Sequence, residues 1–209
     1  MSLEELRERN KERVIRTALE CFIENGIDKT RVGDIAVRAG LAERSVFRYF
    51  PTKTDIVVAA AFLYWNMALE RTGEYLRAHS RPGATGIEEI ESVLNGYSEM
   101  VFFDPDGIRF TLDAEVALSA AGKNHEVVNR PPERFETSSG PMAMAIRHGL
   151  RDGTVDAGVD VRELYYNSYD AILGVMQRIT VGVPSVAELD GVERMRQLCA
   201  VFTEAFRAK

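Results

Sequence analysis

The stretch that decides the fold is Thr30–Lys53, TRVGDIAVRAGLAERSVFRYFPTK. Its spacing is typical of two short helices that cross at a steep angle around a tight turn. Ala36 is small where the second helix must approach the first, and Gly40 supplies the positive φ that the turn requires. Val46 is the apolar anchor of the second helix. A small core is completed by Ile35, Leu41 and Phe50. The segment therefore predicts a helix-turn-helix, with an ordinary helical hairpin as the alternative.

The flanking sequence predicts further helices. Apolar residues recur at three- and four-residue spacing from Leu6 to Asn25, and Gly26 suits the end of that helix. Thr30 is placed to cap the second helix, and Thr52 the fourth. We predict helices over residues 6–25, 31–39, 42–49, 52–78, 87–103, 107–121, 132–149, 160–181 and 186–208. Residues 80–86 and 149–158 are predicted loops. Because no period-2 alternation indicates a sheet, the fold class is all-α.

Composition limits the class of protein. The chain has 209 residues, 45% hydrophobic and 28% charged, which suits one or two globular domains and excludes disorder or a disulfide scaffold. Cys21 and Cys199 match no metal motif, so we expect reduced thiols in a cytoplasmic protein. The charged opening carries no secretory signal. The longest uncharged run, Ile56–Leu69, is shorter than a bilayer span, and no membrane partner is expected.

Charge is uneven along the chain. The net charge is −6, which by itself argues against a nucleic-acid partner. Residues 1–53, however, hold 11 Lys or Arg against 9 Asp or Glu, whereas the remainder holds 15 against 23. A weakly basic N-terminal quarter therefore precedes an acidic body, and the local patch matters more than the total.

The decisive stretch also resembles a known family. It carries the spaced pattern Thr30-x-x-x-x-Ile35-Ala36-x-x-Ala39-Gly40-Leu41 and then Phe47-x-Tyr49-Phe50-x-x-Lys53. This pattern, within residues 10–60, resembles the TetR/AcrR family of transcriptional regulators. The resemblance implies an N-terminal three-helix helix-turn-helix DNA-binding head over 1–52 and a larger helical ligand-binding and dimerisation bundle over 53–209. Two positions depart from the family: Ala42 replaces a capping Ser or Thr, and Phe47 replaces a Tyr.

The residue roles follow from this geometry and the resemblance together. The recognition helix, 42–49, would lie in the major groove of a double-stranded DNA operator. Base contacts are expected from Glu43, Arg44 and Ser45, with Arg44 able to pair bidentately with guanine. Phosphate contacts are expected from Thr30, Arg31, Arg48, Tyr49 and Lys53. For Arg38, a solvated charge is expected rather than a contact.

The body is rich in aromatic residues and methionine, which more often form a core than a pocket. The resemblance implies a cavity that some of them line. The predicted ligand-binding residues are Phe62, Trp65, Asn66, Tyr97, Met100, Phe103, Phe110, Met142, Tyr165 and Tyr169. Asn66 and Asn95 could orient a ligand or satisfy a backbone group. Tyr165 and Tyr169 could close a pocket or pack a dimer seam.

A homodimer is expected because one recognition helix covers too few bases for specificity. Two-fold pairing places two such helices about 34–36 Å apart on a palindromic operator. The predicted interface residues lie on the last two helices: Ile172, Met176, Met195, Cys199, Phe202 and Phe206. Leu198, Val201 and Ala205 widen the apolar arc of the last helix beyond what one contact needs. The alternative is that both helices are core helices of a monomer.

The sequence as a whole predicts a ligand-responsive repressor, released from its operator by a small lipophilic effector. The alternative is a helical small-molecule-binding protein with weak or lost DNA binding, in keeping with Ala42, Phe47 and the acidic total. No enzyme, cofactor or metal site is expected. His79, His125 and His148 are scattered, and no Gly-rich phosphate loop is present.

Overall fold

The computed structural model describes residues 2–79, 81–123, 140–182 and 191–209. Within these ranges the regular structure is helical, and the extended pairing consists of an isolated antiparallel bridge between Val155 and Arg207. The all-α prediction is confirmed. The helices are α1 Leu3–Asn25, α2 Val32–Arg38, α3 Glu43–Tyr49, α4 Lys53–His79, α5 Gly86–Ser98, α6 Met100–Phe103, α7 Pro105–Ala120, α8 Pro141–Asp152, α9 Val161–Thr180 and α10 Gly191–Phe206.

The N-terminal caps explain where two early helices begin. The Ser2 hydroxyl accepts from the Glu5 amide at 3.1 Å, and the Glu5 carboxylate accepts from the Ser2 amide at 2.6 Å, so α1 starts earlier than predicted. Thr52 and Asp55 form the same reciprocal pair at α4, as expected for Thr52. The predicted Thr30 cap of α2 is wrong. There the Arg31 amide donates to the Asp34 carboxylate at 3.1 Å.

Later helices differ from the prediction at their ends. The predicted helix 87–103 is two helices, since α5 ends at Ser98 and α6 begins at Met100, with Glu99 between them. Helix α8 continues past Gly149 and ends at Asp152, and the next residue, Gly153, has a left-handed φ of +79°. Part of the predicted 149–158 loop is therefore helical. The stretches 124–139 and 183–190 lie outside the described residues. They hold the beginnings of two predicted helices, and the first stretch also holds His125 and Pro131.

The described residues group into two compact units. Unit 1 draws on Met1–Met67 and Asp106–Asn129, and unit 2 on Ala68–Pro105 and Arg130–Lys209. The predicted domain boundary after residue 52 stays a prediction.

The core of unit 1 is an aromatic and aliphatic cluster. Phe22 of α1 stacks on Phe110 of α7 with ring centroids 6.2 Å apart, and Tyr64 of α4 meets Phe110 edge-on at 5.9 Å. Burial of these rings holds α1, α4 and α7 together.

The core of unit 2 is built around α5, which packs against α8 and α10. The crossing of α5 and α8 is so close that a Cβ at Gly86 would lie 2.0 Å from the Gly149 amide nitrogen. Gly149 is therefore a packing residue inside α8, which is why it does not end the helix. The core of unit 2 also contains a cluster of tyrosine rings. The centroid of the Tyr169 ring lies 4.8 Å from that of Tyr97 and 5.3 Å from that of Tyr165.

Candidate nucleic-acid interface and ligand cleft

The turn between α2 and α3 has the geometry that the spacing predicts. Gly40 has a φ of +65°. Its amide donates to the Val37 carbonyl at 3.0 Å, and the Leu41 amide donates to the Ala36 carbonyl at 2.9 Å. Ala36 and Val46 are buried, so α3 is anchored against α2 by its inward face. The helix-turn-helix is thus present, with Ala42 at the start of α3 making no side-chain cap.

The outer face of α3 carries the predicted base-contacting residues. Arg44 and Arg48, one turn apart, are exposed on the side opposite the buried Val46. Glu43 is also exposed, whereas Ser45 is half-buried. This face presents two guanidinium groups, which suit base edges and phosphates.

A cleft of about 540 Å³ lies beside this face. It brings together predicted residues from three segments: Arg31, Glu43, Phe47 and Lys53. The Lys53 ammonium reaches the Asp28 carbonyl, 3.5 Å away, and Gly33 leaves room for the Glu43 carboxylate. The lining of the cleft therefore combines two basic residues, Arg31 and Lys53, with three acidic ones, Asp28, Asp34 and Glu43.

Thr30 is predicted to contact a phosphate, but its side chain is not accessible to solvent. Its side chain is buried, and its hydroxyl is within hydrogen-bond distance of the Gly26 carbonyl at 2.8 Å and the Cys21 carbonyl at 3.1 Å. Thr30 therefore satisfies carbonyls at the end of α1, and this placement does not support a phosphate contact.

Tyr49 connects α3 to the first helix. A hydrogen bond from Arg48 lowers the pKa of the Tyr49 hydroxyl, and a hydrogen bond from Asn10 and the charge of Arg7 act in the same direction. The Arg48 guanidinium also lies 5.5 Å from the Tyr49 ring centroid. Sequence reasoning missed Arg7 and Asn10. Their three-residue spacing on α1 was the available signal.

Arg38 is exposed, as expected for a solvated charge, and it also bridges two helices. It pairs with Glu20 at 3.1 Å and with Glu24 at 2.8 Å, and so connects α2 to α1. The hydrogen bond to Glu24 raises the pKa of Arg38 and lowers that of Glu24.

Unit 2 contains a larger cleft of about 850 Å³. Its walls come from the end of α4, from α5 and from the start of α8. Its lining residues are Tyr75, Leu76, Arg77, His79, Arg81, Ala84, Glu88, Glu89, Glu91, Ser92, Val93, Asn95, Pro141, Met144 and Ala145. The Tyr75 ring stacks on His79 at 4.0 Å, and Gly96 allows that ring to lie against α5. The cleft has apolar walls and a rim with charges of both signs.

The ten predicted ligand-binding residues lie elsewhere. Buried in the core of unit 2 are Tyr97, Met100, Met142, Tyr165 and Tyr169. Trp65 and Phe110 are buried in unit 1, whereas Phe62, Asn66 and Phe103 are exposed. Asn95, considered as a ligand-orienting residue, does line the cleft. Aromatic content favoured core residues, and the signal for the cleft was the polar residues Ser92 and Asn95 within an apolar helix.

The predicted dimer residues are mostly covered within one chain. Five of them are buried: Ile172, Met176, Met195, Cys199 and Phe206. Phe202 is half-buried. Burial raises the pKa of the Cys199 thiol to about 11. A dimer contact through α10 would therefore use its other side, where Val201 is 64% exposed.

Among the described residues, the His, Cys, Asp and Glu side chains form no group of three or more placed to hold a metal ion. Within the same ranges, the helices are too short or too polar for a membrane span.

Comparisons with known proteins agree with the helix-turn-helix. Residues 14–60 match the model for bacterial regulatory proteins of the tetR family. The fatty acid metabolism regulator protein of Bacillus subtilis is 24% identical over 149 residues, covering 71% of this chain and 72% of the relative. These findings confirm the resemblance that the decisive stretch carries.

Solved structures share the fold. A TetR-family transcriptional regulator of Pectobacterium atrosepticum superposes with a TM-score of 0.69 at 20% identity, covering 100% of this chain and 99% of that one. The regulator FadR of Bacillus subtilis, solved in complex with stearoyl-CoA, gives a TM-score of 0.62 at 18% identity, with coverage of 94% and 99%. These relatives are regulators and not enzymes. Residues 14–60 therefore match the tetR family of bacterial regulatory proteins, and the chain has the fold of solved TetR-family structures.

Proposed function

We propose that this protein is a transcriptional repressor that binds a palindromic operator as a homodimer and is released by a small lipophilic effector. The observation that carries the proposal is the exposed face of α3, where Arg44 and Arg48 lie opposite the buried Val46. In the major groove, Arg44 would read a guanine, with Glu43 and Ser45 beside it. Arg31, Arg48 and Lys53 would fix the register on phosphates.

The effector site that we propose is the 850 Å³ cleft of unit 2. Its volume lies in the usual range for small-molecule sites. Leu76, Val93 and Met144 offer apolar surface, and Ser92 and Asn95 offer hydrogen bonds. Because this chain is similar to a fatty acid metabolism regulator of Bacillus subtilis and to the structure of FadR from Bacillus subtilis with stearoyl-CoA, a long acyl chain is the first effector class to test.

Dimerisation is proposed through the outer face of the last two helices. On α10, Leu198, Val201 and Ala205 lie on the side away from the buried Cys199, and the half-buried Phe202 lies at its edge. On α9, the corresponding half-buried stripe is Leu164, Ala171 and Val175. Two apolar stripes on adjacent helices would bury a four-helix seam with their symmetry mates.

The test is a gel-shift assay with duplex DNA taken from the region that flanks the gene of this protein. We expect a shift that persists against excess random DNA, weakens as salt rises, and is reversed by stearoyl-CoA but not by free coenzyme A. Stearoyl-CoA without an effect on the shift would contradict the acyl effector alone. Effector binding without any DNA shift would favour the alternative, a helical small-molecule-binding protein.

A further inference from the structure

Glu43 lies at the edge of α3 that faces α2. Its carboxylate lies against Gly33 of α2, so that a Cβ added at Gly33 would be 3.2 Å from Glu43 Oε2. Phe47, one turn further along α3, lines the same cleft. Arg44, the next residue after Glu43, is exposed on the adjacent side of the helix. A change of rotamer would therefore carry the Glu43 carboxylate from the cleft to the face that Arg44 presents.

The protein does not hold the Glu43 carboxylate in the cleft. Glu43 is exposed, and within the described ranges no group hydrogen-bonds or ion-pairs with its side chain. Asp34 lines the same cleft but differs, because its carboxylate accepts from the Arg31 amide at 3.1 Å. Glu43 can therefore leave the cleft without the loss of a hydrogen bond.

The charge of the cleft opposes the phosphate contacts of the proposed function. Arg31 and Lys53 carry two positive charges, and the three acidic side chains give the lining a net charge of −1. A DNA phosphate that approaches Arg31 or Lys53 here is repelled by the nearby carboxylates. Without the charge of Glu43 the lining would be neutral. Of the three acidic residues, Glu43 is the one that lies on the reading helix.

We propose that Glu43 determines specificity by rejecting DNA that lacks its matching base. On random DNA its carboxylate stays in the cleft and repels the phosphate that Arg31 and Lys53 would bind. On the operator, the N4 amino group of a cytosine draws the carboxylate to the base edge and so removes its charge from the cleft. Specificity then includes a penalty on wrong DNA as well as a contact to the right base. The inference rests on the proposed function, that α3 reads an operator.

The test compares three variants of the full chain that each remove one negative charge. Glu43→Gln removes it from α3, and Asp28→Asn removes it from the same cleft but away from α3. Glu74→Gln removes it from an exposed position of α4 in unit 2. Anisotropy titrations at 50 and 200 mM salt measure the affinity for the operator duplex mapped in the gene-flanking DNA and for a random duplex of equal length.

We expect Glu43→Gln to tighten binding to the random duplex about fivefold at 50 mM salt, the factor for one like-charge repulsion at about 4 Å in water. The gain should shrink at 200 mM salt, because exposed charges are screened. Binding to the operator should not tighten, because a neutral amide is a weaker acceptor for cytosine than a carboxylate. The ratio of operator to random affinity therefore falls about fivefold.

The controls separate this role from a general effect of charge. Asp28→Asn should tighten binding to both duplexes by similar factors and leave their ratio unchanged. Glu74→Gln should change neither affinity. In a series of operator duplexes with single substitutions, replacement of one C·G pair by T·A should weaken the wild type and weaken Glu43→Gln less. Thermal melts verify that the variants fold as the wild type does.

An unchanged random-duplex affinity for Glu43→Gln, or equal gains on both duplexes, would overturn this inference and leave operator binding intact. So would a substitution series in which no C·G pair distinguishes Glu43→Gln from the wild type. A wild-type chain that does not prefer the gene-flanking duplex to random DNA would overturn the proposed function and this inference together.

Discussion

Arg44 and Lys53 lie on different parts of the proposed interface, so their substitution should weaken DNA binding in different ways. Arg44→Ala should cost about 1–3 kcal/mol on operator DNA and relax specificity at one base pair, because a bidentate contact to a base is lost. Lys53→Ala should weaken operator and random DNA alike and lower the salt slope by about one. Fluorescence anisotropy titrations on both duplexes measure these effects. Identical behaviour of the two variants would contradict the assignment.

Phe47 is 41% exposed and lines the cleft beside α3, so a hydroxyl added to its ring can reach a phosphate. Phe47→Tyr should tighten operator binding by about 0.5–1.5 kcal/mol, the net value of one hydrogen bond. The control is Phe62→Tyr, which adds the same hydroxyl to a similarly exposed ring on α4 and should leave affinity unchanged. Weaker binding by Phe47→Tyr would mean that the ring edge packs against the head.

At the scale of elements, the start of α5 depends on the end of α8. The Asp152 carboxylate accepts from the Gly86 amide at 2.8 Å, and the Thr154 hydroxyl accepts from the Ile87 amide at 3.2 Å. Hydrogen bonds from the Thr154 hydroxyl, the Gly86 amide and the Thr154 amide lower the pKa of Asp152 from 3.8 to about 2. The ionised carboxylate therefore stabilises the junction of α5 and α8.

This lowered pKa gives a pH-dependent prediction. Because the pKa of folded Asp152 lies below its ordinary value, its stabilisation is complete above about pH 4 and is lost as the pH falls toward 2. Asp152→Asn should lower Tm at pH 7, and the difference from wild type should narrow below pH 4. Thermal melts from pH 7 to pH 2.5 measure it, with Glu74→Gln, an exposed carboxylate of α4, as the control. A difference in Tm that does not vary with pH would contradict the role of the charge.

Local sequence patterns predicted a helix or turn well where the contacts that determine it are close in the sequence. The helix-turn-helix followed from Ala36, Gly40 and Val46, because a turn and its small core lie within some ten residues. The end of α8 did not, because Gly149 serves a contact with Gly86, which is 63 residues earlier and has no local signature. The exposure of Arg44 and Arg48 on α3 was likewise predictable from the local pattern, whereas the effect of Asn10 on the pKa of Tyr49 depends on a tertiary contact.

At the scale of the whole molecule, residue type did not reveal which apolar face is free. The last helix carries two sets of apolar residues that look alike in the sequence. One set, Met195, Cys199 and Phe206, is buried where α10 packs on α5 and α9, and the other includes Leu198 and Val201. The proposed effector cleft was not predicted for the same reason, since large aromatic side chains such as Tyr165 and Tyr169 pack in the core.

The exposed apolar face of α10 gives the prediction for assembly. Val201→Glu should raise the dimer dissociation constant by about tenfold or more, since placing a charge in the seam needs to cost only 1.4 kcal/mol to do so. Ala200→Glu adds the same charge on the polar side of α10 and should leave the dimer intact. Sedimentation equilibrium distinguishes the dimer from the 23.4 kDa chain. A wild type that sediments as a single chain at micromolar concentration would refute the dimer.

The capping of α5 by Asp152 and Thr154 also has a consequence for synthesis on the ribosome. The residues that satisfy the first amides of α5 follow them by 66 and 67 positions in the chain. When α5 leaves the exit tunnel, those partners have not yet been translated. The helix-turn-helix has no such dependence, because its turn and caps lie within residues 26–55. A nascent chain can therefore complete its DNA-reading turn well before the cleft-bearing helices acquire their final ends, so the order of translation favours a head that matures first.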